Sequence, residues 1–172
     1  NDTLVVTTMS NIGLHAAAKE YGIDLAITDV GDRYVIEEMK KSGHNLGGEQ
    51  SGHMIFLDYN TTGDGTLSSL IVSKIVKEEG KTLSEQSALM TTYPQVLINV
   101  EVRNEVKNKF MENDEIRAEI ERLEKLMNGT GRVLIRPSGT QPLVRVMLEG
   151  KDEGQIRELA QGLADLIKEK LA

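Results

Sequence analysis

The sequence predicts two domains of different class: a three-layer α/β domain over residues 1–93, then an α+β domain over residues 94–172. Three observations carry this division. In the first part, short β-branched runs alternate with amphipathic stretches as strand–helix–strand–helix, the grammar of a layered α/β fold. Tyr93-Pro94 then interrupts the helical pattern, because the residue before proline is pushed out of the right-handed helical region. Beyond it the order reads β-α-β-β-α, which predicts an antiparallel sheet with helices on one face.

Each element has a local reason. Leu4-Val5-Val6-Thr7-Thr8 reads as a buried strand, since β-branched residues dominate a short apolar run. Ser10 and Asn11 supply capping oxygens for a helix through Ile12, His15, Ala16 and Lys19, with Gly22 as its stop. Ile23, Leu25 and Ile27 alternate with other residues as a second strand. Asp32 is placed to cap a helix carrying Tyr34, Val35 and Met39 that stops at Gly43. Met54-Ile55-Phe56-Leu57 is a third strand, and from Thr66 a helix sets Leu67, Leu70, Ile71 and Ile75 on one face up to Gly80. Thr82-Leu83-Ser84-Glu85 matches a capping box and opens a short helix.

In the second part Val96, Ile98, Val100 and Val102 share one face of a strand. Asp114 to Met127 is a helix with Ile116, Ile120, Leu123 and Met127 on one stripe, stopping at Gly129. Strands at 133–135 and 143–148 flank a short loop, and a last helix from Asp152 buries Ile156, Leu159, Leu163 and Ile167.

Composition removes several function classes. The 172 residues carry a net charge of −7, which disfavours non-specific nucleic-acid binding through a basic surface. The acidity is concentrated: residues 1–93 hold 13 acids against 7 bases, and the remainder is nearly balanced. The six aromatics form no basic-aromatic ladder for stacking single strands. No apolar run approaches the ~18 residues of a membrane span, so no membrane partner is expected. Without cysteine there is no disulfide, thiol nucleophile or cysteine-ligated zinc. A first residue of Asn1 instead of Met points to a piece of a longer protein.

Two runs concentrate chemistry. Arg136-Pro137-Ser138-Gly139-Thr140-Gln141-Pro142, with Arg145 shortly after, packs two guanidinium forks, two hydroxyls and a glycine into a strand–loop–strand turn. Arginine matches phosphate oxygens bidentately, hydroxyls add neutral donors, and glycine admits close backbone N–H groups. On composition alone, a phosphate cradle and an ordinary surface turn fit this run equally. Gly47-Gly48-Glu49-Gln50-Ser51-Gly52-His53 offers a carboxylate, a hydroxyl and an imidazole on a glycine-rich loop, which suits a polyol or sugar. His53 has the chemistry to move a proton near neutral pH. Unaided, composition favours a flexible turn with a solvated Glu49; His15 and His44 read as structural. No phosphate-binding P-loop pattern occurs.

Two acidic runs are metal decoys. Asp58 through Asp64 begins like an EF-hand loop but has Gly65 at position eight and Ser69 at position twelve, where calcium needs a bidentate Glu. At Asp29-Val30-Gly31-Asp32-Arg33 the neighbouring arginine competes with a cation. No metal ligand set is expected in this chain.

Five runs in order resemble the bacterial phosphoglucosamine mutase family of the α-D-phosphohexomutase superfamily: Thr8-Met9-Ser10-Asn11-Ile12-Gly13, Val30-Gly31-Asp32-Arg33-Tyr34-Val35, Gly47 through His53, Asp58 through Gly65, and Arg136 through Pro142 with Arg145-Val146-Met147. The resemblance implies a four-domain enzyme of which this chain is the third and fourth domains, the fourth being TATA-binding-protein-like. It implies that Gly31, Asp32, Arg33, Glu49, Ser51 and His53 contact the sugar, with His53 as the proton-transfer candidate. It implies that Arg136, Ser138, Gly139, Thr140 and Arg145 hold phosphate. One departure is Gln141, where the family usually shows Glu.

The reaction implied is interconversion of glucosamine 6-phosphate and glucosamine 1-phosphate through a phosphoserine and a bisphosphate intermediate. The family's phosphoserine and its triple-aspartate magnesium loop belong to the first two domains, so Mg²⁺ and a glucose- or glucosamine-bisphosphate activator are expectations for the full-length enzyme. The same resemblance implies a cytoplasmic location and UDP-N-acetylglucosamine and peptidoglycan precursor synthesis. Rival readings are a phosphoglucomutase or phosphomannomutase of the same superfamily, and a free-standing sugar-phosphate binding module.

Overall fold

The computed structural model describes residues 2–171, which fall into two compact units divided between Thr92 and Tyr93. The first unit is built on one sheet of strands β1 (Thr3–Thr7), β2 (Asp24–Thr28), β3 (Leu46–Gly48) and β4 (Met54–Phe56), in the order β2-β1-β3-β4. β1 pairs in parallel with β2 from Thr3↔Asp24 to Thr7↔Thr28, and with β3 at Val5↔Gly47; β4 runs antiparallel to β3. Its helices are α1 (Ile12–Tyr21), α2 (Asp32–Ser42), α3 (Gly65–Glu79) and α4 (Leu83–Ser87).

The strand order fixes the layers. From β1 the chain moves outward to β2, then crosses back over β1 to β3. Right-handed crossovers in opposite directions put α1 and α2 on opposite faces. Side chains agree: Val35 and Met39 of α2 bury against Val5 and Ile55, whereas Leu14 of α1 and Ile71 and Val72 of α3 face the side of Leu4, Val6 and Phe56. This is the expected three-layer domain.

Three details depart from the expectations. β3 is an additional strand, set by its pairing partners; Gly47 faces α2 so closely that a Cβ there would lie 2.7 Å from the Met39 sulfur and 2.8 Å from Val35. Asp32 does not cap α2. Gly31 is the N-cap, and Asp32 occupies the first helical turn, where its charge complements the helix dipole. The apolar face of α3 is only partly covered, with Leu70 65% and Ile75 44% exposed.

The second unit carries β5 (Gln95–Glu101), a 3₁₀ turn at Phe110–Glu112, α5 (Asp114–Leu126), β6 (Gly131–Pro137), β7 (Leu143–Gly150) and α6 (Glu153–Leu171). Its sheet is fully antiparallel in the order β5-β7-β6. Alternation divides the central strand: Val144, Val146 and Leu148 join Val96, Val100, Ile120, Leu123, Ile156 and Leu163 in one continuous core under the helices. Leu159 packs at its margin and is only partly buried.

The opposite face of β7 presents Arg145, Met147 and Glu149. Glu149 is fully buried, and its side chain accepts from Arg132 at 2.7 Å and Gln95 at 3.0 Å, its two cross-strand neighbours.

Candidate functional site

In an open α/β sheet, ligands collect at the carboxyl ends of the strands where the strand order reverses. Here that point lies between β1 and β3. The segments leaving the ends of β1, β2 and β3 are Thr8–Asn11, Asp29–Gly31 and Glu49–His53. The sequence runs read separately as candidates are therefore gathered by topology at one edge of the first unit.

Glu49 joins two of them. Its Oε1 accepts a 2.9 Å hydrogen bond from the Gly31 amide, and its side chain is only 11% exposed. This corrects the expectation of a solvated carboxylate: Glu49 is a tie between the β2–α2 and β3–β4 connections. The β3–β4 turn is closed by Glu49 N–H to the His53 carbonyl at 2.9 Å and Gly52 N–H to the Glu49 carbonyl at 3.1 Å. A Cβ on Gly48 would lie 2.5 Å from the His53 carbonyl oxygen, so the turn requires glycine there.

His53 Nδ1 stands 4.0 Å from Glu49 Oε2, beyond a direct hydrogen bond, with its ring largely exposed. Ser51 is exposed at the turn's tip, and Asp32 is half-buried beside Gly31. Arg33 is committed to its own helix: its Nε bonds Glu37 at 2.8 Å and its guanidinium lies 5.8 Å from the centroid of the Tyr34 ring. The Glu37 hydrogen bond and charge raise the Arg33 pKa further above its ordinary value.

Beside this edge, a cavity of about 420 Å³ runs along the α1–α3 face of the sheet. Leu4, Val6, Phe56 and Ile71 form its apolar walls, while Glu49 and His53 stand among its polar lining residues. The apolar walls offer a polyol no hydrogen bonds. Ser10, Asn11 and Gln50 add further polar side chains to the lining beside Glu49 and His53.

The second candidate is built differently. Arg136 and Arg145 are directly opposed in the β6–β7 ladder. Opposed residues have Cβ atoms about 4.5–5.5 Å apart, so two like charges share one spot on the sheet. Asn99 faces Arg145 from β5. The Arg145 Nε is buried and has no hydrogen-bond partner among the described residues.

The intervening turn is closed by the Ser138 amide to the Leu143 carbonyl at 2.9 Å and by the Gln141 amide to the Ser138 hydroxyl at 3.2 Å. Ser138 is thereby buried, whereas Gly139 and Thr140 are exposed and their N–H groups donate to no atom among the described residues. Two opposed arginines flanking a turn with two unused amides have the donor chemistry an anion requires.

Sequence reasoning missed Asn99 and Lys107. Strand alternation carried the signal for Asn99, because Val96, Ile98 and Val100 on the core face put Asn99 on the other. No motif marked Lys107, whose Nζ donates to the carbonyls of Ser138 (2.8 Å) and Gln141 (3.3 Å). Among the described residues, no group of three or more His, Asp or Glu side chains is placed to hold a metal ion.

The fold and its two loop clusters define a class: a doubly wound α/β unit with a polar turn at its switch point, followed by an antiparallel α+β unit with a paired-arginine turn. Residues 1–93 match the family description "Phosphoglucomutase/phosphomannomutase, alpha/beta/alpha domain III", and residues 97–166 match its C-terminal domain. The chain belongs to the phosphoglucomutase/phosphomannomutase family.

Among its relatives, the phosphoglucosamine mutase of Clostridioides difficile is 69% identical over 171 residues, covering 99% of this chain and 38% of that protein. The phosphoglucosamine mutase of a Thermoanaerobacter species is 62% identical over the same span. The chain thus spans a little over a third of the length of these relatives. Among solved structures, Aspergillus fumigatus N-acetylphosphoglucosamine mutase in complex with GlcNAc-6P and magnesium superposes with a TM-score of 0.82 at 21% identity, over 99% of this chain and 39% of that one. At that identity the likeness is one of fold.

Proposed function

We propose that this chain is the sugar- and phosphate-recognition part of a phosphoglucosamine mutase. The observation that carries the reading is the paired-arginine turn: Arg136 and Arg145 are directly opposed on the strands that flank it, and the Gly139 and Thr140 amides donate to no atom among the described residues. Like charges in direct opposition cost stability unless an anion relieves them, and a phosphate dianion accepts from both forks. The relatives' names supply the sugar: both are phosphoglucosamine mutases.

In this reading residues 94–172 hold the phosphate through Arg136, Ser138, Gly139, Thr140 and Arg145. Residues 1–93 hold the hexosamine ring, with Gly31, Asp32, Arg33, Glu49, Ser51 and His53 at the switch-point edge. Glu49 accepts from ring hydroxyls with the lone pairs that Gly31 leaves, and His53 stands ready to move a hydroxyl proton. A phosphoserine and Mg²⁺ outside this chain supply the phosphoryl chemistry. The substrate would be glucosamine 6-phosphate, with a hexose bisphosphate as activator, in cytoplasmic UDP-N-acetylglucosamine and peptidoglycan precursor synthesis. Among the described residues no helix is long and apolar enough to cross a membrane.

The test compares a protein of the relatives' full length carrying this chain with its Arg136→Ala variant. Both are assayed on the 6-phosphates of glucosamine, glucose and mannose. A preference for glucosamine that collapses with Arg136→Ala supports the reading. Preference for glucose or mannose phosphate, or unchanged kinetics in the variant, overturns it. The 172-residue chain alone should have no mutase activity.

A further inference from the structure

We infer that Lys107 is a positioning residue for the phosphate turn, aiming the Gly139 amide at the anion from behind. The inference rests on the proposed phosphate site and assigns a role to a residue outside its motif. Lys107 Nζ donates to the Ser138 carbonyl at 2.8 Å and to the Gln141 carbonyl at 3.3 Å, so one ammonium bridges both ends of the turn. The Ser138–Gly139 peptide is trans, and in a planar trans peptide the C=O and N–H point in opposite directions. A carbonyl drawn onto Lys107 therefore turns the Gly139 N–H to the far side of the turn.

The second contact acts differently. Gln141 is followed by Pro142, so that peptide has no N–H to aim. There Lys107 anchors the turn's closing end, where the Gln141 carbonyl also accepts from the Leu143 amide at 2.9 Å.

Lys107 is itself held in place. Val106 packs against the hydrophobic core, its amide donates to the Arg103 carbonyl at 3.1 Å, and Lys109 N–H donates to the Val106 carbonyl at 2.8 Å. Phe110, three residues on, is buried in the same core. Among the described residues the ammonium pairs with no carboxylate that would cancel its charge, and both of its contacts are to backbone oxygens of the turn. It polarises the peptide and adds a third positive charge to the field of Arg136 and Arg145. Preorganised backbone dipoles aimed at an anion cost nothing to reorient when it arrives.

The experiment titrates the 172-residue chain with inorganic phosphate, following ¹⁵N–¹H shifts of Gly139 and Thr140 at several salt concentrations. Lys107→Met should weaken binding about tenfold, the loss of one charge-assisted bond, and shrink the Gly139 shift more than the Thr140 shift. Lys107→Arg should restore both. Lys107→Gln keeps a donor without the charge, and should flatten the salt dependence, which a merely structural role would not move. Should the Met variant fail to fold, the Gln and Arg variants carry the comparison. Phosphate affinity, Gly139 shift and salt dependence all unchanged in Lys107→Gln would overturn the inference. Absence of any Gly139 or Thr140 shift in the unsubstituted chain would overturn the phosphate-site reading itself.

Discussion

The two units hold their candidate residues by different means. In the second, Arg136 and Arg145 stand on strands whose pairing runs unbroken from Gly131↔Gly150 to Pro137↔Val144. Behind them lies a continuous core from Val96 to Leu171. In the first, Gly31, Glu49 and His53 stand on connections, held by one carboxylate–amide bond and a closed turn. The buried cluster of that unit is Val5, Val35, Met39 and Ile55. A strand-borne site is positioned before its ligand arrives, whereas a loop-borne site depends on a few named hydrogen bonds.

The largest effect should come from the core. Leu163→Ala in α6 removes a fully buried side chain, and should cost about 2–5 kcal/mol in chemical denaturation. Leu70→Ala on the uncovered face of α3 should stay within about 0.5 kcal/mol. Equal losses would erase the contrast in packing between the units.

Next in size is the strand-borne site. Arg145→Ala should weaken phosphate binding by about 10–100-fold in a calorimetric titration, the range for charge-assisted hydrogen bonds. Its folding stability should hold or rise, because the opposed Arg136 loses a like-charged neighbour. A variant that binds phosphate normally would show that the pair is not the site.

The loop-borne site should respond through stability as well as binding. Glu49→Ala leaves the Gly31 amide without its acceptor and should cost about 1–3 kcal/mol, read as faster amide exchange in residues 29–35 and 47–54. Glu49→Gln retains an acceptor oxygen and should recover most of that loss. If exchange is unchanged in Glu49→Ala, the two connections are not tied through this carboxylate.

The smallest effect is one of pH. Asp64, the N-cap of α3, is held below the ordinary aspartate range by the Leu67 amide first; partial desolvation opposes this, and the Asn60 side chain assists. A depressed carboxyl contributes stability at neutral pH that is lost as pH falls through its lowered folded value. Asp64→Asn should therefore make α3 slightly less stable at neutral pH and less sensitive to acid, measured by helix-specific amide exchange between neutral and acid conditions.

Much of this architecture is legible in the residues themselves. Alternation in 96–102, the stripe of α5 and the left-handed glycines ending α1, α2 and α3 declare their elements locally. Leu46-Gly47-Gly48 does not, because a three-residue strand with two glycines has no β-propensity and exists through its partners. The paired arginines are legible because a turn of five residues forces antiparallel neighbours. The Glu49–Gly31 bond and the reach of Lys107 to Ser138 are not: each joins residues far apart in sequence, and only the fold brings them together.

The most direct test of the account is a titration of the 172-residue chain with glucosamine 6-phosphate, followed by amide shifts across both units. Saturable shifts are expected at Gly139 and Thr140, lost in Arg136→Ala, together with shifts at Gly31 and across 49–53 that inorganic phosphate does not produce. Unmoved Gly139 and Thr140 amides at millimolar ligand would contradict it.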